Sequence, residues 1–370
     1  MRDRNPRPAL FWTAVVVLMA LLAGLALASA TLPAEAPATP SPATRPSRTP
    51  VVAPSGPVLS DTRGFIALAG KDAPASLRRE TDAAPITSLH GQGFIGAVSG
   101  TGRRVAYWVA NASDTRELRV FDATAPDQDA AMLSLLQGER GASAVWSVDR
   151  TGLLLVVEAN GTADQGSPFS ALRVLDTPTR GVHEIARLVD GSQFWPVGWD
   201  RDSRLTGSCV VGADGAAIAY AVIGEDAISA RTPMDEGIPA ATVRSSGTAV
   251  LGVMNGVVIR VWSIASYADH RELGANPGDR IAFARWRPGA TDIVVSIADR
   301  LELWPAAGGD HRVVARGLPN ASDLLVSEDG AIAIVSSDQG RTAAAIDLAS
   351  GRTAPVPMTG EQLLAAVSFR

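Results

Sequence analysis

The residues of this chain with the most to offer chemically are tryptophans with charged neighbours. Trp146 precedes Asp149, Trp195 and Trp199 precede Asp200, and Trp286 stands between Arg285 and Arg287. Aromatic faces supply contact area and adjacent charges fix orientation, so the set suits a bound ligand or peptide. The plainer alternative is that the rings pack between sheets, because a wedge-shaped core needs large side chains.

Other chemistry is hard to place. His90, His183, His270 and His311 are far apart, and there is no H-E-x-x-H or C-x-x-C pattern. Neither a zinc site nor any other cofactor is expected. No G-x-S-x-G elbow occurs, and a hydrolase domain beside the repeats described below is not expected. Gly91, Gly93 and Gly96 complete a G-x-G-x-x-G, but no helix follows and Asn111 is no ribose-binding acid. SVDRTG (147–152) carries its glycine one place late for a sialidase Asp-box and reads as a hairpin turn. Asp127 and Asp129 lack calcium-loop spacing and read as a solvated turn. Cys209 is the only cysteine, which excludes an internal disulfide and leaves a small buried hydrophobe.

These residues need elements to hold them, and the chain divides clearly. Residues 1–8 are a basic start, and 9–30, ALFWTAVVVLMALLAGLALASA, carry no charge. As a helix at about 1.5 Å per residue this run reaches about 33 Å, enough to cross a bilayer core. A transmembrane anchor is expected; the alternative is a signal peptide cleaved near Ala30, after the small-x-small Ala28-Ser29-Ala30. Either way the N-terminal arginines stay in the cytoplasm and the remainder is exported. Residues 31–57 hold eight prolines and read as a disordered, semi-rigid linker.

Residues 58–370 form the body. The net charge of −5 is uneven. The first 57 residues hold Arg2, Arg4, Arg7, Arg45 and Arg48 against Asp3 and Glu35; the body carries 28 basic and 36 acidic residues, a balance of −8. An acidic body argues against nucleic acid as a partner. Lys71 is the only lysine, which reads as the composition bias of a bacterial genome.

One phrase repeats through the body: an apolar strand, a Gly/Asp/Ser turn, a second apolar strand, then an alternating third. Third strands are ELRVFD (117–122), ALRVLD (171–176), VIRVWS (258–263), LELWP (301–305) and AAAIDL (343–348). The turns are SGTG (99–102), DRTG (149–152), SSGT (245–248), RPGAT (287–291) and SEDG (327–330). Units start near 94, 143, 194, 240, 281 and 322. A further unit is split: SDTRGFIALAG (60–70) lacks a first strand, and LLAAVSFR (363–370) is a first strand with no turn. The fold class expected is all-β, a single propeller of seven four-stranded blades (alternative six), closed by pairing 363–370 with 63–69.

The strand-S-x-D-G-strand phrase, followed by LELW or LRVFD, resembles the TolB-like and WD-like β-propeller repeats. Gly-His and Trp-Asp dipeptides are not at their WD positions, so the TolB-like side is favoured. The resemblance implies a binding scaffold. First strands line a propeller's channel, so Trp146, Asp149, Trp195, Trp199, Asp200, Arg285, Trp286 and Arg287 are candidates for its mouth. The expected protein is membrane-tethered and monomeric, outside the cytoplasm, and holds an envelope protein or small ligand. The alternative is a propeller-type enzyme (a lactonase, glycan-active or quinone-dependent catalyst) that uses scattered channel-mouth residues.

Overall fold

The computed structural model describes residues 57–369, apart from 69–73, 91–93, 102, 111–115, 148–150, 161–166, 201–203, 226, 235–237, 339–340 and 359. The expected membrane segment, nearly all of the linker, and Asp149 lie outside the described residues. Among the described residues, no helix is long and apolar enough to cross a membrane.

The turns explain the repeat. In SEDG, Ser327 Oγ accepts the amide of Ile332 at 2.9 Å and donates to Asp329 Oδ1 at 2.6 Å, which accepts the amide of Ala331 at 3.0 Å. Gly330 takes φ +64°, and a Cβ there would lie 2.4 Å from the carbonyl oxygen of Pro288. Serine, aspartate and glycine are each required by what their atoms do at this reversal. Ser147 acts as Ser327 does, in an earlier turn of the repeat, and accepts the amides of Thr151 and Gly152. The centre of SVDRTG, 148–150, lies outside the described residues.

The strands run in chain order. The first three are β1 (Arg63–Leu68), β2 (Ala75–Arg79) and β3 (Thr87–Ser88). Blade 2 holds β4 (Phe94–Thr101), β5 (Arg104–Ala110), β6 (Arg116–Asp122) and β7 (Ala125–Ser134). Blade 3 holds β8 (Glu139–Trp146), β9 (Gly152–Ala159), β10 (Phe169–Asp176) and β11 (Val182–Leu188). Blade 4 holds β12 (Gln193–Asp200), β13 (Leu205–Val211), β14 (Ala217–Ile223) and β15 (Ile228–Pro233). Blade 5 holds β16 (Arg244–Ser246), β17 (Ala249–Met254), β18 (Val258–Ser263) and β19 (Ser266–Gly274). Blade 6 holds β20 (Ile281–Trp286), β21 (Asp292–Ile297), β22 (Arg300–Pro305) and β23 (Arg312–Arg316). Blade 7 holds β24 (Ala321–Val326), β25 (Ile332–Ser337), β26 (Thr342–Asp347) and β27 (Thr353–Val356), and β28 (Gln362–Ser368) ends the chain.

Each of the seven sheets is four-stranded, and the first blade is ordered β28-β1-β2-β3. Arg63 pairs with Ser368, Gly64 with Val367 and Ile66 with Ala365, with a bulge after Ile66. The C-terminal strand is the inner strand of the blade that begins the chain, as expected, and the count is seven. One boundary differs. The unit expected near 240 starts with a 3-10 turn, Ala240–Thr242, after Pro239, so its first strand begins only at Arg244. Proline has no amide to donate and is tolerated in strands only at edges or bulges, as Pro196 is beside the bulge of β12.

The core is distributed rather than central. Among the described residues, seven apolar clusters fill the seven gaps between neighbouring blades. Second strands sit between two such layers, and every residue of β9 is buried. This two-sided burial is why these strands read as unbroken apolar runs.

Close approach between blades also demands glycine at 141. The Trp108 indole of blade 2 is fully buried against Gly141 of β8 and donates its Nε1–H to the carbonyl of Ser143 at 3.1 Å. A Cβ on Gly141 would fall 2.1 Å from Trp108 Cδ2. Gly141→Ala is therefore expected to destabilise the body by about 3 kcal/mol, read from the denaturant midpoint. A change below about 0.5 kcal/mol, within the range of ordinary surface substitutions, would show that the blades can part without strain.

Candidate functional site

The inner strands surround a cavity of about 850 Å³. Its wall draws on β8, β12, β16, β20, β24 and β28. Most of the lining is apolar or small, including Trp195, Val197, Phe283 and Leu364. Against this wall stand Arg244, Arg285 and Asp323, contributed by the inner strands of three successive blades, with Glu328 in the turn after β24.

Local structure fixes each of the three. Arg244 opens β16, its backbone carbonyl accepts the Nε1–H of Trp286 from the next blade at 3.3 Å, and its own guanidinium donates to the carbonyl of Val243 at 2.6 Å. Arg285, next to the last residue of β20, donates to the carbonyl of Ala284 at 3.0 Å. It lies 3.6 Å from Asp323, whose Oδ1 accepts the amide of Leu324 at 2.7 Å. Arg285 and Asp323 are enclosed by protein yet keep 17% and 18% of their side-chain surface on the lumen.

This enclosure shapes the electrostatics. Burial, and secondarily the charge of Arg244, push Arg285 down to about 9, still protonated at neutral pH. Burial also lowers Arg244, against the pull of Asp323. Burial raises Asp323, opposed first by Arg285. Two guanidinium groups beside one carboxylate leave a local excess of one positive charge at this part of the wall, with Glu328 elsewhere on the lining, a setting in which fields act at short range and with little screening.

The candidates from the sequence separate. Trp195 and Arg285 line the channel. Trp146 is buried between blades 2 and 3, Trp199 packs between blades 3 and 4 over Gly152, and Trp286 is buried between blades 5 and 6. Arg287 donates to the carbonyl of Gly330 at 2.8 Å and so ties blade 6 to the turn of blade 7. Asp200 ends β12, half-buried, away from the channel lining. Arg244 and Asp323 belong to the site without having been singled out. Their signal was position, because both lie in inner strands, but no tryptophan adjoins them in sequence.

Other expectations resolve away from the channel. Cys209 is fully buried, and desolvation pushes its thiol up to about 12. Asp127 and Asp129 lie in β7 rather than in a turn. Asp129 accepts from Arg119 Nε at 3.0 Å and from the hydroxyl of Tyr107, so its carboxylate is paired rather than solvated. His311 stacks on Trp304 at 3.9 Å and His270 on Tyr267 at 5.1 Å.

No family model matches the sequence, and no curated protein does. Solved structures do. A protein of Bacteroides fragilis provisionally named a 6-phosphogluconolactonase superposes with a TM-score of 0.54 at 10% identity, over 83% of this chain and 98% of its own. A protein of Lactobacillus plantarum gives 0.53 at 11% identity, over 82% and 98%. AztD of Citrobacter koseri gives 0.52 at 14% identity, over 80% and 83%. At such identities likeness extends to architecture alone, and with the seven-sheet ring it shows that this chain is a seven-bladed β-propeller.

Proposed function

We propose that this protein is an exported, membrane-tethered propeller that binds a ligand or partner segment in its central channel at the cell envelope. The observation that supports this most is the channel itself, roomy, mostly apolar, and carrying Arg244, Arg285 and Asp323 at half-buried positions. Pockets with apolar walls and a few convergent polar groups are where proteins hold small molecules. The charge-free run at 9–30, the proline-rich linker and the TolB-like turn phrase support the tether and the scaffold role.

Two measurements test this reading. Expressed at full length in a bacterium, the protein should stay with the membrane fraction, and protease added to spheroplasts should digest the body. A body recovered in the cytosol would sink the tether. Native mass spectrometry of the gently purified protein should show added mass that Arg285→Gln releases; identical spectra for both forms would sink the channel as the binding site.

An enzyme is the second reading, favoured by one observation: Asp323 is a carboxyl held above its usual range inside a cavity, as a general acid would be. The provisional name of the Bacteroides protein points the same way. A captured ligand that is converted over hours by wild type, but not by Asp323→Asn, would favour this reading over simple binding.

A further inference from the structure

The geometry points to Arg244 and Arg285 as the seat for a carboxylate carried on an apolar body. This deepens the channel reading above and rests on it.

Three observations carry the inference. First, the two arginines enter the same cavity from the inner strands of adjacent blades, and among the described residues the only carboxylate within 4.0 Å of either is Asp323, beside Arg285 at 3.6 Å. The hydrogen bonds of Arg244 and Arg285 described here go to the backbone carbonyls of Val243 and Ala284. A guanidinium offers five donors in a planar fork, so neither is saturated by one carbonyl and a long ion pair.

Second, the charge balance selects a monoanion. Arg244 and Arg285 repel one another, and both are drawn to Asp323. Glu328 also lines the cavity, from the turn after β24. Around the arginine pair itself, where Asp323 is the only carboxylate within 4.0 Å among the described residues, one positive charge is left over. A carboxylate cancels it; a phosphate dianion would leave a buried excess of negative charge beside Asp323, which low-dielectric surroundings penalise.

Third, much of the rest of the wall is apolar, with hydroxyls of Ser143, Thr242, Ser245 and Ser322 set among it. Trp195, Val197, Phe283 and Leu364 offer surface for a hydrocarbon or aromatic body, not for a second ionic group. Burial of both like-charged guanidinium groups in one cavity is unfavourable for the empty protein, and an anion between them relieves it.

The inference is tested by calorimetry at neutral pH on the full-length protein in lipid nanodiscs, titrated separately with phenylacetate, phenylacetamide and inorganic phosphate. Phenylacetate should bind at least about tenfold more tightly than its neutral amide, and more tightly than phosphate. Arg244→Gln should weaken phenylacetate by about tenfold or more, and Arg244→Lys by less, since charge remains without the fork. Asp323→Asn should tighten phenylacetate several-fold, because it removes the carboxylate that competes for Arg285. A gain of affinity cannot come from a damaged fold, so this variant keeps the test decisive if Arg244→Gln proves unstable.

Equal binding of phenylacetate and phenylacetamide would overturn the charge assignment and leave the channel as a ligand site. Preference for phosphate would overturn the monoanion. Loss of affinity in Asp323→Asn would overturn the role given to the arginine pair. Binding of none of the three probes would overturn both this inference and the channel reading.

Discussion

Deleting residues 362–370 is expected to lower the melting temperature of the body by at least about ten degrees or abolish its cooperative unfolding. In β28, Leu363, Ala365 and Val367 are 2%, 7% and 3% exposed. Burial of a leucine or valine side chain contributes about 1.5–3 kcal/mol each, before the hydrogen bonds to β1 are counted. More follows from what the deletion uncovers. Phe65 and Ile66 are fully buried in two different inter-blade layers, and both lie on the strand that would lose its partner. The last residues are tied as well: Arg78 pairs with Glu361 at 2.9 Å, the Arg79 guanidinium covers the Phe369 ring at 4.7 Å, and the Phe369 amide donates to Thr62 at 2.9 Å. Differential scanning calorimetry decides the matter. A truncated protein that melts within a degree or two of the intact one would mean that the ring holds shut without the first blade's inner strand. A synthetic peptide LLAAVSFR supplied in trans should recover some of the loss by adding back the strand.

The second large effect belongs to Arg63. Its Nε donates to both oxygens of Glu80, at 3.1 and 3.0 Å, and another nitrogen donates to the carbonyl of Val58 at 2.7 Å. Glu80 is 1% exposed and Arg63 16%. Arg63→Met leaves this carboxylate buried without its cation, a change that costs about 3–5 kcal/mol. Burial already holds Glu80 above the usual carboxylate range, and Arg63 opposes that rise. A carboxyl raised in the fold binds its proton more tightly there than in the unfolded chain, so its contribution to stability falls as pH rises from 4.5 through the folded value. In Arg63→Met the opposition is gone and the window widens upward. The gap between variant and wild type should therefore be largest at neutral pH and shrink as the solution is acidified, measured by urea unfolding of both proteins at each pH. Glu80→Gln in the same background should recover most of the stability at neutral pH. A gap independent of pH would show that the loss comes from packing rather than from the stranded charge.

The blades were legible because their turns act locally. Ser327, Asp329 and Gly330 are chosen by their own backbone, so the phrase survives wherever the chain must reverse in that way. The split blade was legible for the same reason, as a turn without a strand before it and a strand without a turn after it. The channel was harder to read. Neighbouring residues of a strand point to opposite faces, so Arg285 reaches the lumen while Trp286 enters a gap between blades. Counting tryptophans in inner strands could not tell which of them reach the channel and which pack between blades. Arg244 was further hidden by Pro239, which delays the start of β16 and moves the first strand of blade 5 past its expected place. Asp323 has only its place in an inner strand as a sequence signal; its significance comes from Arg285, on the neighbouring blade. Gly141 is similar, since the Trp108 ring above it comes from a different blade.

Pairing of β28 with β1 also imposes an order in time. The ribosome makes β1 early and β28 late. The sheets of blades 2–7 are each built from consecutive strands and can assemble as the chain lengthens, while β1 waits with one edge open. A chain cut before β28 keeps that open edge. Such an edge is a template for pairing with other chains, so loss of one late strand turns the earliest strand of the body into a site for aggregation.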